Sequence, residues 1–322
     1  MTADLPITID HVRAAAERIR PVVHRTPVLR SASLDRLAGT EVVLKAEHLQ
    51  RTGSFKARGA SNKVALVEAE ARERGLYAIS SGNHAAAVAW AGRRHGCRVD
   101  VHMPTDAPDL KKRAAIAYGA HVHPFDRSAE RGDVAGRWLE EHGSVFVPPF
   151  DDHDVMAGQG TLALELHDDA EIATLVVPVS GGGLVAGCAI ATRGVRPACR
   201  IVGVEPAGAD DTVRSLAAGS PVAVSPDTIA DGLAVSRPGV HTFPVVRAEV
   251  DEVVTVTDDQ IRTAMVVLFE RTKQVVEPSG AAALAAVLAG AVGTDGPVGV
   301  VVSGGNIDPA RFAALVAGTT AP

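Results

Sequence analysis

Short runs rich in β-branched residues alternate with longer helix-forming stretches along most of this 322-residue chain, and no other feature constrains its fold as much. The runs are bounded mostly by Gly, Pro, Asp or Ser, which predicts strands. We expect strands at 41–46, 77–80, 98–103, 144–147, 174–179, 200–204, 250–256 and 298–302. The stretches between them predict helices at 62–74, 83–95, 109–118, 130–141, 184–193, 258–272 and 281–288. Strands joined through helices run parallel, so the sequence predicts an α/β protein with mostly parallel sheets.

Gly- and Ser-rich loops follow three of these strands, at 80–84, 180–183 and 303–306. Parallel α/β sheets bind ligands in the loops at the carboxyl ends of their strands. A single loop of this kind is weak evidence for a site, whereas three predict a polar ligand that is held from several sides.

The loop at 180–183 carries three successive glycines between a strand and an apolar helix. Successive glycines let main-chain N–H groups converge on an anion at a helix N-terminus. The loop suits a single phosphate better than a dinucleotide, because the spaced G-x-G-x-x-G pattern is absent. A tight strand-to-helix turn without a ligand is the alternative interpretation.

Lys56 differs from the other lysines because it follows a Gly-rich turn that opens a helix, with Ser54 as the expected N-cap. An amine in the first turn of a helix feels the positive end of the helix dipole, which favours its neutral, nucleophilic form. A solvated surface lysine is the alternative. Lys45 is expected to pair with Glu47. The lysines expected on solvated faces are Lys63, Lys111, Lys112 and Lys273.

The loop at 205–211 contains carboxylates and exposed carbonyls, which are hard oxygen ligands suited to Mg²⁺ or Ca²⁺. An acidic helix N-terminus is the alternative. His84 also opens a predicted helix; it is a candidate metal ligand or base, or else a packed, hydrogen-bonded imidazole.

Composition excludes several classes of function. Lys and Arg total 32 against 38 Asp and Glu, a net charge of -6, which argues against a nucleic-acid binder. The longest nearly apolar run, 280–292, is too short to span a bilayer, and the first 20 residues lack the apolar stretch of a secretory signal. The three cysteines form no disulfide framework or metal-ligand spacing. We therefore expect a cytoplasmic protein without a membrane or nucleic-acid partner.

Taken together, these motifs resemble one family. The segment 45–60, which surrounds Lys56, is similar to the Schiff-base lysine segment of threonine/serine dehydratases and serine racemases, enzymes of fold type II that depend on pyridoxal 5′-phosphate (PLP). The similarity covers nearly the whole chain, with the motifs in the family's order. It continues through SSGNH at 80–84, SGGGL at 180–184, GVEP at 203–206, ADG at 230–232, VSRPG at 235–239, EPSGA at 277–281 and SGGN at 303–306.

The resemblance implies a tryptophan synthase β-like fold of two three-layer α/β domains. Residues 1–75 and 151–322 would form a large PLP-binding domain, and residues 76–150 a small inserted domain. PLP would lie in the cleft between them, and the family suggests a homodimer.

The resemblance also implies the contacts of the cofactor ring. Lys56 would form the Schiff base with PLP, and Phe55 would lie against the ring. Asn83 would bind the phenolic oxygen, and Ser303 would face the pyridine nitrogen. The main-chain N–H groups that would bind the phosphate belong to Gly181, Gly182, Gly183 and Leu184.

Substrate and metal ligands follow from the same resemblance. The residues that would surround the substrate carboxylate are Ser80, Ser81, Asn83 and His84. Arg131 aligns with a substrate-side arginine of some racemases. The loop of Glu205, Ala209 (through its carbonyl) and Asp211 resembles the divalent-metal site of serine racemases and hydroxyaspartate dehydratases, which implies Mg²⁺, or Ca²⁺ or Mn²⁺.

The activity implied is the dehydration and deamination of L-threonine or L-serine to a 2-oxo acid and ammonia. PLP stores electrons from the substrate Cα, and Lys56 would remove the Cα proton. Since Ser303 cannot keep the pyridine nitrogen protonated as an aspartate would, β-elimination is favoured over transamination. Ser81, an acid/base candidate on the opposite face, together with the metal loop, supports the alternative of a serine racemase or 3-hydroxyaspartate dehydratase. A β-replacement synthase and a non-enzymatic PLP-binding regulator are less favoured.

The sequence also departs from the family pattern. Ala85, Ala86 and Ala87 follow His84 where a glutamine is frequent, and Ser180 stands where a fourth glycine is common. VSRPG at 235–239 is similar to dehydratases, whereas Ser81 is similar to racemases, so the sequence mixes the markers of the two subfamilies.

Overall fold

The computed structural model describes residues 5–126, 128–293 and 295–321, and its strands form two separate sheets. The strands are β1 (Val28–Leu29), β2 (Val42–Lys45), β3 (Leu76–Ile79), β4 (Val99–Pro104), β5 (Ala120–Phe125), β6 (Val145–Phe146), β7 (Thr174–Pro178), β8 (Arg200–Pro206), β9 (Glu252–Val256) and β10 (Val298–Val301). Every strand pair is parallel except that of β1 with β2.

Helices make up most of the remaining structure. They are α1 (Ile9–Ile19), α2 (Ala32–Ala38), α3 (Lys56–Leu66), α4 (Ala69–Glu73), α5 (Asn83–Arg94), α6 (Asp109–Ala117), α7 (Arg131–His142), α8 (His153–Asp169), α9 (Gly183–Val195), α10 (Asp211–Ala218), α11 (Thr242–Glu249), α12 (Asp258–Thr272), α13 (Pro278–Leu288) and α14 (Pro309–Val316). Two 3₁₀ turns, Glu47–Leu49 and Arg51–Gly53, precede α3.

The larger sheet has the order β1-β2-β10-β7-β8-β9 and is buried on both faces. Successive residues of a strand point to opposite faces, so each strand contributes to two cores. In β2, Val42 and Leu44 pack with α12 and α13, whereas Val43 packs with α8 and α9. The sheet is therefore the middle layer of three.

The smaller sheet has the order β5-β4-β3-β6 and repeats this arrangement. In β3, Leu76 and Ala78 face the core that contains α5, while Tyr77 and Ile79 face the core that contains α7. The predicted α/β class, with mostly parallel sheets and helices on both faces, is confirmed.

All eight predicted strands are present, but β1 and β5 were not predicted. β5 contains His121, His123 and Pro124, and most of its residues are at least partly exposed, so it lacks an apolar signal. It is an edge strand, which tolerates proline because one side needs no ladder hydrogen bond.

The prediction of one helix at 62–74 was wrong. α3 begins at Lys56 and ends at Leu66, and the separate α4 follows. Gly59 weakens the helical signal because glycine has low helix propensity. The structure requires that glycine, since a Cβ there would lie 2.4 Å from the Gln159 side chain of α8.

Among the described residues, no helix is both long and apolar enough to cross a membrane.

Candidate active site

A cavity of about 350 Å³ lies between the two sheets, at the carboxyl ends of their strands. Residues 80–84 after β3, 180–184 after β7 and Ser303 after β10 line it together with Phe55 and Lys56. The three polar loops therefore meet at one place, as the sequence predicts. Arg131 also lines the cavity, whereas Glu205, Ala209 and Asp211 do not.

Lys56 is the first residue of α3, and its side chain borders the cavity. Its Nζ donates a hydrogen bond to the carbonyl of Pro149 and lies 5.1 Å from the centre of the Phe55 ring. Burial lowers the pKa of this amine to about 8, because a buried site disfavours its charged form. A sizeable fraction of the Lys56 side chain is therefore neutral near physiological pH.

The predicted N-cap role of Ser54 was wrong. The helix begins after Phe55, and the Ser54 hydroxyl is buried without a hydrogen-bond partner. The main chain here is instead fastened to the loop after β10, where Phe55 N donates to Ser303 O (3.1 Å) and Ser54 bridges to Gly304. This pairing fixes the start of α3 against the loop that carries Ser303.

The glycine loop has a shape that excludes side chains. Gly182 has φ +93°, a left-handed conformation that favours glycine. A Cβ at Gly181 would lie 2.3 Å from the Phe150 ring, and one at Gly183 would lie 2.8 Å from the Phe150 carbonyl. The loop opens the 13-residue helix α9, whose first-turn N–H groups have no acceptor within the helix. A compact anion such as the PLP phosphate fits this position.

Asn83 is held at both ends of its amide. Its Nδ2 donates to Glu277 Oε1 (2.5 Å), and its Oδ1 accepts from Asn306 Nδ2 (2.9 Å). Across the cavity, the Ser303 hydroxyl donates to Ser279 O (3.3 Å). These side chains therefore have defined orientations that suit them to a ring with polar edges.

His84 is buried, and burial together with the nearby Lys56 cation lowers its pKa to about 3. The ring is therefore neutral at physiological pH. Because the Val147 carbonyl 2.8 Å away can only accept, Nε2 carries the proton. His84 is thus a hydrogen-bonded, packed imidazole that also lines the cavity, in agreement with the simpler of its two interpretations.

Lys45 pairs with Glu165 (2.7 Å), so the predicted pair with Glu47 was wrong. Glu47 instead accepts from Arg58 (2.8 Å), whose side chain projects from α3. Lys63 was expected in solvent but is partly buried between two carboxylates of the α8 N-terminus, Asp152 (2.8 Å) and Asp154 (3.0 Å).

Lys111 was expected on a solvated face, but its side chain is buried. It lines the cavity and pairs with Asp231 and Glu277. No functional role for these three residues was predicted. The ADG and EPSGA motifs that contain the two carboxylates were the available signal.

The loop at 205–211 lies apart from the cavity and contains two buried carboxylates. Glu205 accepts from the main-chain N–H groups of Thr212 and Val213 (both 3.0 Å), as expected of an acidic helix N-terminus. Both carboxylate oxygens of Asp211 are buried without a hydrogen-bond partner. Burial raises the pKa of Glu205 to about 7, and burial together with Glu205 raises that of Asp211 to about 8.

This loop fits a cation only if main-chain oxygens and water complete the ligand set. In the described part of the chain, no three His, Cys, Asp or Glu side chains are grouped so as to hold a metal ion. Two adjacent, orphaned carboxylate oxygens nevertheless favour a positive charge beside them, because the alternative is their protonation.

The lysine, the glycine loop at a helix N-terminus and the cavity between two parallel sheets together define a PLP-binding α/β enzyme. Comparison with known proteins agrees: residues 19–304 match the family model "Pyridoxal-phosphate dependent enzyme". The chain belongs to this family.

Two relatives and one solved structure are similar to this chain over most of its length. The chain is 42% identical to an L-threo-3-hydroxyaspartate ammonia-lyase of Saccharomyces cerevisiae over 97% of both chains. It is 44% identical to an L-threonine ammonia-lyase of Geobacter sulfurreducens, over 97% of this chain and 78% of the relative. The structure of maize serine racemase superposes with a TM-score of 0.92 at 42% identity and covers 96% of each chain. The protein is therefore a PLP-dependent enzyme of the ammonia-lyase type with the fold-type II architecture.

Proposed function

We propose that this enzyme dehydrates and deaminates L-threonine or L-serine, giving a 2-oxo acid and ammonia. The observation that carries the proposal is the Lys56 amine, whose pKa is lowered and which borders the same cavity as the glycine loop. Relatives named for ammonia-lyase activity on hydroxy amino acids support the same reaction.

PLP, when bound, acts as the electron sink that makes the substrate Cα–H acidic. Lys56 holds or releases a proton at Nζ, because its pKa lies close to neutrality and the Pro149 carbonyl accepts from it. The main-chain N–H groups of residues 181–184 would bind the phosphate group of PLP. The Ser303 hydroxyl would face the pyridine nitrogen, which a hydroxyl cannot protonate as a carboxylic acid would. Loss of the β-hydroxyl as water leaves an enamine that hydrolyses to the 2-oxo acid and ammonia.

The substrate carboxylate is assigned to the loop after β3. Ser80, Ser81, Asn83 and His84 line one side of the cavity, and α5 begins at Asn83. An anion is favoured at a helix N-terminus. The Ser80 hydroxyl accepts from Gly82 N (3.2 Å), which stabilises the turn between the strand and the helix.

We also propose that Mg²⁺, or Ca²⁺ or Mn²⁺, binds at Glu205, Asp211 and the Ala209 carbonyl. The two orphaned Asp211 oxygens are the supporting observation. Because the loop is outside the cavity, such an ion would act on stability and loop order rather than on the reacting atoms.

A second candidate function is serine racemisation or deamination of 3-hydroxyaspartate. Ser81 borders the cavity and carries a hydroxyl that can serve as an acid/base, and Arg131 borders it as a partner for a second carboxylate. Relatives named serine racemase and L-threo-3-hydroxyaspartate ammonia-lyase share 42–43% identity with the chain.

A substrate panel scored by ammonia release and product chirality tests these proposals. 2-Oxobutanoate from L-threonine supports the first candidate, while D-serine or oxaloacetate supports the second. The formation of neither ammonia nor D-serine from any of these amino acids, with PLP bound, would overturn both.

The quaternary and domain organisation are also proposals. We infer a homodimer, in which residues 76–150 form a small domain inserted into a large domain of residues 1–75 and 151–322. The smaller sheet, whose strands lie between Leu76 and Phe146, supports the inserted domain. Light scattering coupled to gel filtration tests the dimer.

A further inference from the structure

We propose that Lys111 is a positioning residue, which joins the parts of the molecule built on the two sheets and holds Asn83 in its orientation through Glu277. The inference rests on the proposed function only for the substrate used in its activity assay. It gives a role to a buried charge cluster that the reaction itself does not use.

The first observation is the burial of Lys111. Its side chain is only 7% exposed, and a lysine is almost never buried to this extent unless it is paired. Its Nζ lies 2.7 Å from Asp231 Oδ2 and 3.4 Å from Glu277 Oε2. The Lys111 cation therefore lies between two carboxylates, and that of Glu277 is only 2% exposed.

The second observation is where these residues come from. Lys111 is on α6, beside the smaller sheet, whereas Asp231 follows α10 and Glu277 directly precedes α13, both beside the larger sheet. All three border the cavity. The ion pairs therefore cross the cavity and connect its two sides.

The third observation is the continuation of this cluster to Asn83. Glu277 forms the ion pair with Lys111 through Oε2 (3.4 Å), and its Oε1 accepts the hydrogen bond from the Asn83 amide (2.5 Å). Asn306 then holds the other end of the Asn83 amide and also donates to Thr52 O (2.7 Å). Because a carboxylate can only accept, an ionised Glu277 forces the NH₂ group of Asn83 towards it.

Lys111 favours the ionised form of Glu277. Burial raises the pKa of Glu277, and the Lys111 cation is the largest influence that opposes this rise. Without the cation, the pKa of Glu277 would rise further. A protonated Glu277 can donate as well as accept, so the orientation of Asn83 would no longer be determined.

The main chain around the cluster leaves room for it. A Cβ at Gly82 would lie 2.7 Å from Lys111 Cδ, and one at Gly304 would lie 2.3 Å from Glu277 Oε1. Lys111 therefore packs directly on the loop between Ser81 and Asn83. Loss of this side chain would free that loop as well as the Asn83 amide.

The next residue on α6 supplies a matched control. Lys112 has the same charge but is less buried than Lys111, and its Nζ donates to Thr105 O (2.6 Å) without reaching the cavity. Both Lys111→Met and Lys112→Met therefore remove one positive charge from α6. Only Lys111→Met removes it from the buried cluster with Asp231 and Glu277.

The experiment compares both variants with the wild-type holoenzyme. For Lys111→Met we expect a shifted absorbance band of the bound cofactor and faster amide hydrogen exchange in residues 80–84. We also expect kcat/KM for L-threonine to fall about 100-fold, the scale of a small misplacement of reacting groups. Lys112→Met should resemble the wild type in all three measurements.

Asp231→Asn is the second variant, in case Lys111→Met fails to fold. Asp231 is 28% exposed, so the fold tolerates an asparagine side chain at this position more easily than a change at Lys111. The variant should change the absorbance band and the hydrogen exchange in the same direction as Lys111→Met, but less. A wild-type absorbance band and wild-type exchange in the folded variants would overturn the role of Lys111. If the wild-type enzyme does not turn over L-threonine, the proposed substrate is refuted. The absorbance band and the hydrogen exchange would still test the role of Lys111.

Discussion

Arg58 and Glu47 form an ion pair in which neither side chain has any exposed surface, with Arg58 Nε 2.8 Å from Glu47 Oε2. Arg58 also pairs with Glu165 (2.8 Å), and the neighbouring carboxylates raise its pKa. The guanidinium stands two residues after Lys56 on α3. It therefore fixes the part of the helix from which Lys56 enters the cavity.

Replacing Arg58 with Met should lower the free energy of unfolding by about 3–5 kcal/mol, because the fully buried Glu47 loses the cation that it pairs with, whereas Glu165 keeps Lys45. Urea denaturation of the holoenzyme measures this. Arg20→Met is the control, since Arg20 pairs with Glu17 while both side chains are mostly exposed. Such a surface pair contributes about 0–1 kcal/mol. Equal losses in the two variants would contradict the structural role of Arg58.

The strands and the cavity loops could be predicted because their signals are local. The buried strands are short apolar runs, often β-branched, and each loop follows one directly. Residues 80–84, 180–184 and Ser303 accordingly line one cavity. The helix α8 was missed, although it has 17 residues. It contains Gly158 and Gly160, which weaken helix propensity.

Those glycines are explained only by tertiary contacts. A Cβ at Gly158 would lie 2.7 Å from Gly59 Cα, and one at Gly160 would lie 2.4 Å from the Gly187 carbonyl. Lys111 illustrates the same limit for charges, since its partners Asp231 and Glu277 are more than a hundred residues away in sequence. Close helix crossings and long-range ion pairs leave no periodic pattern in the residues that form them.

Lys56→Ala should abolish turnover and the absorbance band of the lysine-linked cofactor, because Lys111, which also lines the cavity, is held in ion pairs with Asp231 and Glu277. Borohydride reduction fixes the cofactor to its lysine as a pyridoxyl label. Peptide mapping should then find this label on Lys56 in the wild type and on no peptide of the variant. Lys63→Ala, on the same helix but paired with Asp152 and Asp154, serves as the control and should retain the label. A label on a different lysine would refute the assignment.

Ser81→Ala should separate the two candidate functions. If Ser81 delivers or removes a proton on the face opposite Lys56, the variant loses formation of D-serine from L-serine but still releases ammonia from the L-isomer. Chiral chromatography and an ammonia assay on the same samples measure both. Parallel loss of the two activities would mean that Ser81 shapes the cavity instead.

The metal proposal predicts a dependence of stability on divalent cations. An ion that binds only the folded protein raises the melting temperature as its concentration rises. We expect Mg²⁺ to raise Tm and EDTA to lower it in the wild type. The Asp211→Asn variant should lose this response, because it removes the charge of the carboxylate whose oxygens are orphaned. A response that is unchanged in Asp211→Asn would place the effect of the cation elsewhere.

Acid should destabilise the protein partly through His167. Burial lowers the pKa of this ring from 6.5 to about 4, and its Nε2 lies 3.0 Å from the Thr192 hydroxyl of α9. The unfolded chain therefore binds a proton that the folded one excludes, so the stability that is present above pH 6.5 is lost as the pH falls towards 4. Between these values His167 should contribute a slope approaching about 1.4 kcal/mol per pH unit.

His167→Gln removes this titration, so chemical denaturation at several pH values should give a shallower loss of stability than in the wild type. Above pH 7.5 the two pH profiles should run parallel, and a wild-type acid slope in His167→Gln would show that other groups, such as His84, carry the acid sensitivity.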